Sequence, residues 1–200
     1  MTQIETQQLT RDDYYRLEEI AEQKHEFYQG EIFSMSGGTF NHARISGNVF
    51  STLLVKLRGK SCQPTNSDMR IETPEGLITY PDAAVYCGKP ELTENQCSLL
   101  NPVTIIEVLS PSTRRYDKID KFTLYRSISS FQDYLLIDSE KIAVQHYRKS
   151  EPNEWILHDY LNINDSIYLK SIQETFLLIE IYDGVAMPTY TAKNLNSENL

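Results

Sequence analysis

Two short apolar runs, residues 78–86 and 103–109, each contain one acidic side chain and no basic one. The acid is Asp82 in the first run and Glu107 in the second. Runs of this kind predict buried β-strands. An isolated ionised carboxylate in such a strand is costly unless it is paired, protonated or bound to a metal. Two of them on neighbouring strands therefore predict a shared divalent cation.

The pattern along the chain predicts an α/β fold, with helices flanking a mixed central sheet. Thr10 and Asp13 form an expected capping box, Asn41 is expected to cap the second helix, and Gly59 follows its end. The helices are predicted at about 10–22, 42–58 and 114–128. The strands are predicted as an N-terminal β-hairpin at 25–36, then about 67–72, 78–86 and 103–109, with extra C-terminal strands near 132–138, 142–148, 154–161 and 166–170. The third helix is expected to turn four side chains to the core: Ile119, Phe122, Tyr125 and Ile128.

The length of 200 residues suits one domain, residues 1–200, with a core at about 12–182 and a frayed tail at about 190–200. No run approaches the roughly 20 apolar residues of a membrane span, and the N-terminus lacks a leader pattern. A cytoplasmic protein without membrane contact is expected. Cys62, Cys87 and Cys97 have no metal-binding spacing and are an odd number, so free thiols are predicted.

The net charge of −9 argues against a nucleic-acid partner, but the charge is unevenly distributed. Residues 40–70 contain five basic side chains and one acidic one, and residues 110–126 contain five basic and two acidic ones. Local potential decides whether a phosphate can approach. The two basic segments, which bracket the strand acids, therefore leave a phosphate substrate open. Two solvated helix faces would explain them equally well.

An ordered set of motifs resembles the Uma family of restriction endonuclease-like proteins, within the PD-(D/E)xK nuclease superfamily. The set consists of Pro81-Asp82-Ala83-Ala84-Val85, Ile106-Glu107-Val108-Leu109-Ser110-Pro111-Ser112-Thr113, Asp117 with Lys121 and Tyr125, and Tyr134-Leu135-Leu136-Ile137-Asp138. The resemblance covers roughly residues 12–182. It implies a restriction-endonuclease-like core that hydrolyses DNA and often acts as a homodimer; RNA is not excluded as a substrate.

The resemblance also implies a metal site, in which Asp82 and Glu107 hold Mg²⁺, or Mn²⁺, together with the Val108 carbonyl. A carboxylate-bound Mg²⁺ lowers the pKa of its water and neutralises charge that grows on a phosphate. One position departs from the superfamily pattern, because Leu109 stands where the (D/E)xK lysine is expected. Lys121 on the following helix is predicted to replace it. Lys118 is the second candidate.

Further residues are expected around this site. Glu31, His42 and Asp117 match family positions and are predicted to support the metal ligands. Arg114, Arg115 and Lys118 are predicted to contact substrate phosphates near the start of the third helix.

Structural explanations remain open for the same residues. Asp82 could accept backbone N–H bonds next to a turn, and Glu107 could pair with Arg70. Asp117 and Lys121, at i and i+4, could form an ordinary helix ion pair worth roughly 0.2–0.5 kcal/mol.

Two other functions stay open as well. A binding module of the same fold would result if nothing compensates for Leu109. A glycoside hydrolase would also use two carboxylates, but the basic segments favour a phosphate substrate.

Overall fold

The computed structural model describes residues 8–35 and 37–187. The helices are α1 (Arg11–Ile20), α2 (Phe40–Leu57), α3 (Arg114–Tyr116), a π-helical turn (Asp117–Lys121), α4 (Phe122–Tyr125) and α5 (Leu178–Ile181). The strands are β1 (His25–Tyr28), β2 (Glu31–Ser34), β3 (Cys62–Asn66), β4 (Arg70–Glu72), β5 (Ile78–Thr79), β6 (Ala83–Cys87), β7 (Ser98–Leu99), β8 (Pro102–Leu109), β9 (Asp133–Asp138), β10 (Val144–Glu151), β11 (Glu154–Tyr160), β12 (Ser166–Leu169) and β13 (Glu174–Leu177).

The strands form a six-stranded sheet in the order β11-β10-β9-β8-β6-β3 and a five-stranded sheet in the order β2-β1-β5-β4-β7. β12 and β13 pair separately. Most pairs are antiparallel, whereas β8–β9 and β4–β7 are parallel. The predicted mixed α/β architecture, with its N-terminal helix and hairpin and its extra C-terminal strands, is confirmed.

The six-stranded sheet buries a different core on each face, because successive side chains of a strand point to opposite sides. On one face, Ile106 and Val108 of β8 pack against α2 and the C-terminal elements. On the other face, Ile105 and Leu109 pack against α4. Glu107 lies between Ile105 and Leu109 on this second face, so its carboxylate points towards the helical segment that follows β8.

The predicted strand at 78–86 is two strands in two different sheets. β5 ends at Thr79 and β6 begins at Ala83. Pro81 lies between them, and proline has no N–H group to donate to a sheet. The chain therefore leaves one sheet and enters the other at Tyr80-Pro81-Asp82, which places Asp82 at the start of β6.

The third helix differs from its prediction in length and register. α3, the π-helical turn and α4 follow one another without a break, and we call residues 114–125 the composite helix. Asp117 and Lys121 are buried in its π turn, whereas Ile119 is 53% exposed and not in the core as expected. A π turn needs more residues per turn than an α-helix, so an α-helical spacing assigns the wrong face.

α1 and α2 have N-caps that can be compared with their predictions. Thr10 caps α1 in the expected capping box with Asp13. α2 begins at Phe40, two residues before the predicted start at 42, and its N-cap is Thr39, whose hydroxyl accepts from the His42 N–H. Asn41 instead donates to the carbonyl oxygens of Ser139 and Ala186. The cap assigned to Asn41 is therefore wrong.

The prediction of free thiols is wrong for two of the three cysteines. Cys62 and Cys87 face each other in the β3–β6 pair and form a disulfide, and Cys97 is free and exposed. The prediction did not include β3, so the sequence pattern did not indicate that Cys62 and Cys87 lie opposite each other. The short strand β7 also lies in the stretch 87–101 that was expected to be a loop.

The C-terminal stretch at about 190–200, predicted to fray, lies outside the described residues. No helix within residues 8–35 and 37–187 combines the length and apolar character that crossing a membrane requires.

Candidate active site

Asp82 directly precedes β6, and Glu107 lies in β8, the neighbouring strand of the six-stranded sheet. Ala83 is paired with Ile106 in antiparallel register, so the preceding Asp82 lies across from Glu107. Asp82 accepts a hydrogen bond at Oδ2 from the Val108 N–H, at 2.7 Å. The side chain of Asp82 remains 15% exposed, whereas that of Glu107 is 5% exposed. Asp82 is thus partly accessible next to the start of β6, whereas Glu107 is buried.

α2 supplies two further contacts to Asp82. The Ser46 hydroxyl donates to Asp82 Oδ1 at 3.0 Å, and His42 Nε2 lies 3.4 Å from Asp82 Oδ2. Burial acts to lower the pKa of His42, but the hydrogen bond and negative charge of Asp82 outweigh it and raise the pKa. The structure thus places His42 next to Asp82. The structural reading of Asp82, as an acceptor of backbone N–H, also holds, and the two readings coexist.

Lys121 lies at the centre of a buried acidic cluster. Its Nζ is 2.8 Å from Glu26 Oε1, 3.2 Å from Asp117 Oδ1 and 3.3 Å from Glu107 Oε1. The Tyr125 hydroxyl donates to Glu107 Oε1 at 2.9 Å. The composite helix therefore delivers both a cation and a hydroxyl donor to Glu107, and Lys121 is the lysine that reaches it. The i, i+4 pair with Asp117 forms as well.

The charges of this cluster control its protonation. Burial acts to lower the pKa of Lys121, but the charges of Glu107 and Glu26 outweigh it and raise the pKa well above its ordinary value. Lys121 therefore remains an ammonium group. Burial raises the pKa of Glu107 to about 8; the charge of Lys121 opposes this rise, and that of Asp117 adds to it. Because one ammonium faces three carboxylates, an acid of the cluster retains a proton near neutral pH.

Burial also raises the pKa of Asp117, although Lys121 opposes the rise. The backbone at Asp117 is held on the side that faces the sheet, because the Tyr134 hydroxyl donates to the backbone carbonyl oxygen of Asp117 at 3.0 Å. This bond ties the π turn to β9. The turn is thus anchored on the side that faces the sheet.

Glu26 is a member of this cluster that the sequence analysis missed. It lies in β1, is 6% exposed, and accepts a hydrogen bond from the Thr79 hydroxyl in addition to its contact with Lys121. The available signal was the one used for Asp82 and Glu107, namely a lone acid in a predicted strand. Glu31, which was expected to support the site, is exposed in β2 and forms no ion pair with another described residue.

Two other expected contacts do not form. Arg70 donates to the carbonyl oxygen of Cys97 and lies over the rings of Tyr14, Tyr15 and Tyr80, so it does not pair with Glu107. Lys118 faces away from the strand acids, in a surface pocket that it shares with Arg114 and Arg115. It is therefore not an alternative to Lys121.

Acids from distant parts of the chain offset much of the predicted basic character. In the first basic segment, three side chains pair with acids of the C-terminal region: Arg44 with Asp183, Lys56 with Glu180 and Lys60 with Glu174. In the second segment, Arg114 is held by Asp138 and Glu140. The two basic segments of the sequence consequently form a less basic surface than their composition indicates.

The donor set at Asp82 and Glu107 consists of hard oxygen atoms. Among the described residues, no three His, Cys, Asp or Glu side chains are grouped to hold a metal ion on their own. Mg²⁺ commonly binds one or two carboxylates and retains several waters. Two carboxylates with the neighbouring Val108 carbonyl therefore fit Mg²⁺ or Mn²⁺ better than a metal that needs a complete protein cage.

Comparisons with known proteins show the family to which the chain belongs. A family model described as "Uma2: Putative restriction endonuclease" matches residues 11–179. Two proteins of Synechocystis sp. (strain ATCC 27184 / PCC 6803 / Kazusa) are similar: "Uncharacterized protein slr1290", 35% identical over 89% of this chain and 93% of the relative, and "Uncharacterized protein sll1609", 38% identical over 81% and 93%.

A crystal structure described as a "putative nuclease belonging to DUF820", from Anabaena variabilis ATCC 29413, superposes with a TM-score of 0.70. It is 18% identical and covers 86% of this chain and 96% of its own length. At this identity the likeness concerns the fold.

Replacement of Lys121 by methionine is predicted to destabilise the protein in a pH-dependent way. Breaking a buried ion pair costs about 3–5 kcal/mol, because it leaves buried charge uncompensated. Folded Glu107 keeps its proton up to a higher pH than it does in the unfolded chain, so the free energy of unfolding falls as pH rises from about 4.5 to about 8. Without Lys121 the pKa of folded Glu107 would rise further and the fall would extend to higher pH, so Lys121→Met should lose more stability at pH 8 than at pH 5.

Chemical unfolding at both pH values measures the effect. Lys118→Met is the matched control on the same helix and should change stability little at either pH. Equal losses for Lys121→Met at pH 5 and pH 8 would contradict the electrostatic description of the cluster.

Proposed function

This chain belongs to the Uma2 family of restriction endonuclease-like proteins, and from that premise we propose that it hydrolyses DNA phosphodiester bonds with the help of Mg²⁺ or Mn²⁺. The observation that carries the proposal is the contact between Lys121 and Glu107, beside Asp82. It supplies the combination of two carboxylates and a lysine that the resemblance requires, although the lysine comes from a different element. Two copies would let one active site act on each strand of a duplex, so a homodimer is part of the proposal.

Asp82 and Glu107 are the proposed metal ligands. The bound ion would supply a water of lowered pKa and a positive charge next to the reacting phosphate. Ser46 and the Val108 N–H hold Asp82 in one orientation, and Tyr125 does the same for Glu107. Such fixed contacts reduce the reorganisation that ligand side chains would otherwise undergo on binding.

Lys121 has an electrostatic role in this proposal. Its ammonium group is 5% exposed and lies in the acidic cluster, so it offsets negative charge that would repel a phosphate. Leu109, at the position of the expected lysine, is 1% exposed in the core below the composite helix. Leu109 and Glu107 face the same side of β8. The ammonium group of a lysine could therefore reach Glu107 either from position 109 or from position 121.

Asp82→Asn and Glu107→Gln are predicted to lower metal-dependent cleavage by at least about a hundredfold, the scale expected when one transition-state interaction is removed. Both changes keep the side-chain shape and remove the charge that binds the ion. A plasmid-nicking assay with Mg²⁺ or Mn²⁺ measures the loss. Glu31→Gln, at an exposed acid on β2, is the control and should cleave like the wild type. Undiminished cleavage by Asp82→Asn would remove the assignment of this site.

Metal binding is predicted to strengthen with pH. Because burial raises the pKa of Glu107 to about 8, the ion must displace a proton at lower pH. The apparent affinity for Mn²⁺ should therefore rise by about tenfold or more between pH 6 and pH 8.

Isothermal titration at both pH values, in two buffers of different ionisation enthalpy, measures the affinity and the released proton together. Glu107→Gln is the matched variant and should bind weakly with little pH dependence. An absence of binding by the wild type at millimolar Mg²⁺ or Mn²⁺ would favour the alternative function, a nucleic-acid-binding module without catalysis.

Moving the lysine tests its role directly. Lys121→Leu is predicted to lose activity. The double variant that combines Lys121→Leu with Leu109→Lys is predicted to cleave at least about tenfold faster than Lys121→Leu, because position 109 faces the same cluster. Cleavage assays on both variants, with unfolding curves to check that each folds, give the comparison. A folded exchange variant no better than Lys121→Leu would show that a positive charge beside Glu107 is insufficient.

A further inference from the structure

The outer side of the composite helix borders a surface pocket of about 550 Å³. Its walls combine basic side chains of the composite helix with polar and aromatic side chains of β10: Arg114, Arg115, Lys118, Gln145 and Tyr147. Asp117 and Lys121 occupy the inner side of the same helix. The pocket is therefore a neighbour of the proposed active site but shares none of its residues.

Two of the three cations in this pocket are available to a ligand. Arg114 is engaged by Asp138 and Glu140, whereas neither Arg115 nor Lys118 forms an ion pair with another described residue. Burial and the like charge of Arg114 lower the pKa of Lys118. A repulsive environment of this kind favours the binding of an anion, and a phosphate can accept hydrogen bonds from both Arg115 and Lys118.

The wall formed by β10 suits an aromatic heterocycle. The Tyr147 ring packs on Phe122, with 4.5 Å between ring centroids, so it forms a supported platform. Gln145 borders the ring and donates through Nε2 to Asp159, while its Oε1 is buried. A supported aromatic ring of this kind can take a nucleobase by stacking.

The pocket is open to solvent and wide enough for one nucleotide. Ligand pockets of about 300–1,000 Å³ hold small molecules, and a nucleotide is in this class, whereas a duplex is far wider. A base in a duplex is covered on both faces by its neighbours, so only an unstacked base can lie on a side chain. We propose that this pocket binds one unpaired nucleotide of the nucleic-acid substrate, with its phosphate on Arg115 and Lys118 and its base against Tyr147.

This inference rests on the proposed nuclease function for the identity of the ligand, and it specifies the substrate as nucleic acid with an unpaired segment. Binding can be measured without a divalent cation, independently of cleavage. A protein that binds as predicted but does not cleave would overturn the nuclease proposal and leave the pocket assignment standing. Cleavage that is unchanged by substitutions in the pocket would overturn the pocket assignment and leave the nuclease proposal standing.

The test is fluorescence anisotropy with a labelled oligonucleotide of about twelve nucleotides, single-stranded and as a duplex, in EDTA. The wild type should bind the single strand more tightly than the duplex. Tyr147→Leu should weaken single-strand binding about fivefold or more, while Tyr147→Phe, which keeps the ring, should stay within about twofold. Arg115→Gln with Lys118→Gln should reduce the slope of log affinity against log salt by about 0.7, because the one phosphate that these two side chains hold is no longer neutralised.

Lys89→Gln, at an exposed lysine in the loop after β6, is the control and should leave affinity and salt slope unchanged. Equal binding of single strand and duplex, with no effect of Tyr147→Leu, would overturn the inference. An unchanged salt slope in the Arg115 and Lys118 double variant would also overturn it. Thermal unfolding shows whether each variant folds, and if Tyr147→Leu does not fold, the salt slope of the double variant is the deciding measurement.

Discussion

One buried ammonium group, Lys121 Nζ, balances the carboxylates of Glu26, Asp117 and Glu107 at distances of 2.8–3.3 Å. Each of these charges would cost several kcal/mol if it were buried alone. The three acids come from three separate parts of the chain: the N-terminal hairpin, the central sheet and the composite helix. Their shared cation therefore links these three elements by ion pairs.

The π turn makes this arrangement compatible with the core. Lys121 and Asp117 turn inward together, Ile119 turns outward, and Tyr134 anchors the turn from β9. Because the composite helix brings the lysine, β8 can use position 109 for a buried leucine. The site thus separates two tasks: β8 and β6 present the carboxylates, and the helix supplies the positive charge.

The sequence predicted the features that depend on local pattern. Lone acids in apolar runs identified Asp82 and Glu107, and a capping box identified the start of α1. What it missed depends on long-range pairing. The strand containing Cys62 has no apolar alternation, so its register with β6 and the resulting disulfide stayed hidden. Glu26 carried the same signal as Asp82 but lies in a hairpin, where acids are commonly exposed. The first basic segment looked more strongly basic than it is, because the acids that pair with Arg44, Lys56 and Lys60 lie over a hundred residues away in the sequence.

Asp82 and Glu107 are proposed to bind one divalent ion while Lys121 remains in contact with Glu107, and the function depends on this arrangement. Anomalous diffraction from a crystal soaked in Mn²⁺ tests it most directly, because the ion's own signal locates it without reference to activity. We predict one strong peak bonded to carboxylate oxygens of both Asp82 and Glu107, at about the 2.0–2.2 Å typical of small divalent ions, with Lys121 Nζ still beside Glu107. A peak elsewhere, or an ion bound to Asp82 alone, would contradict this arrangement.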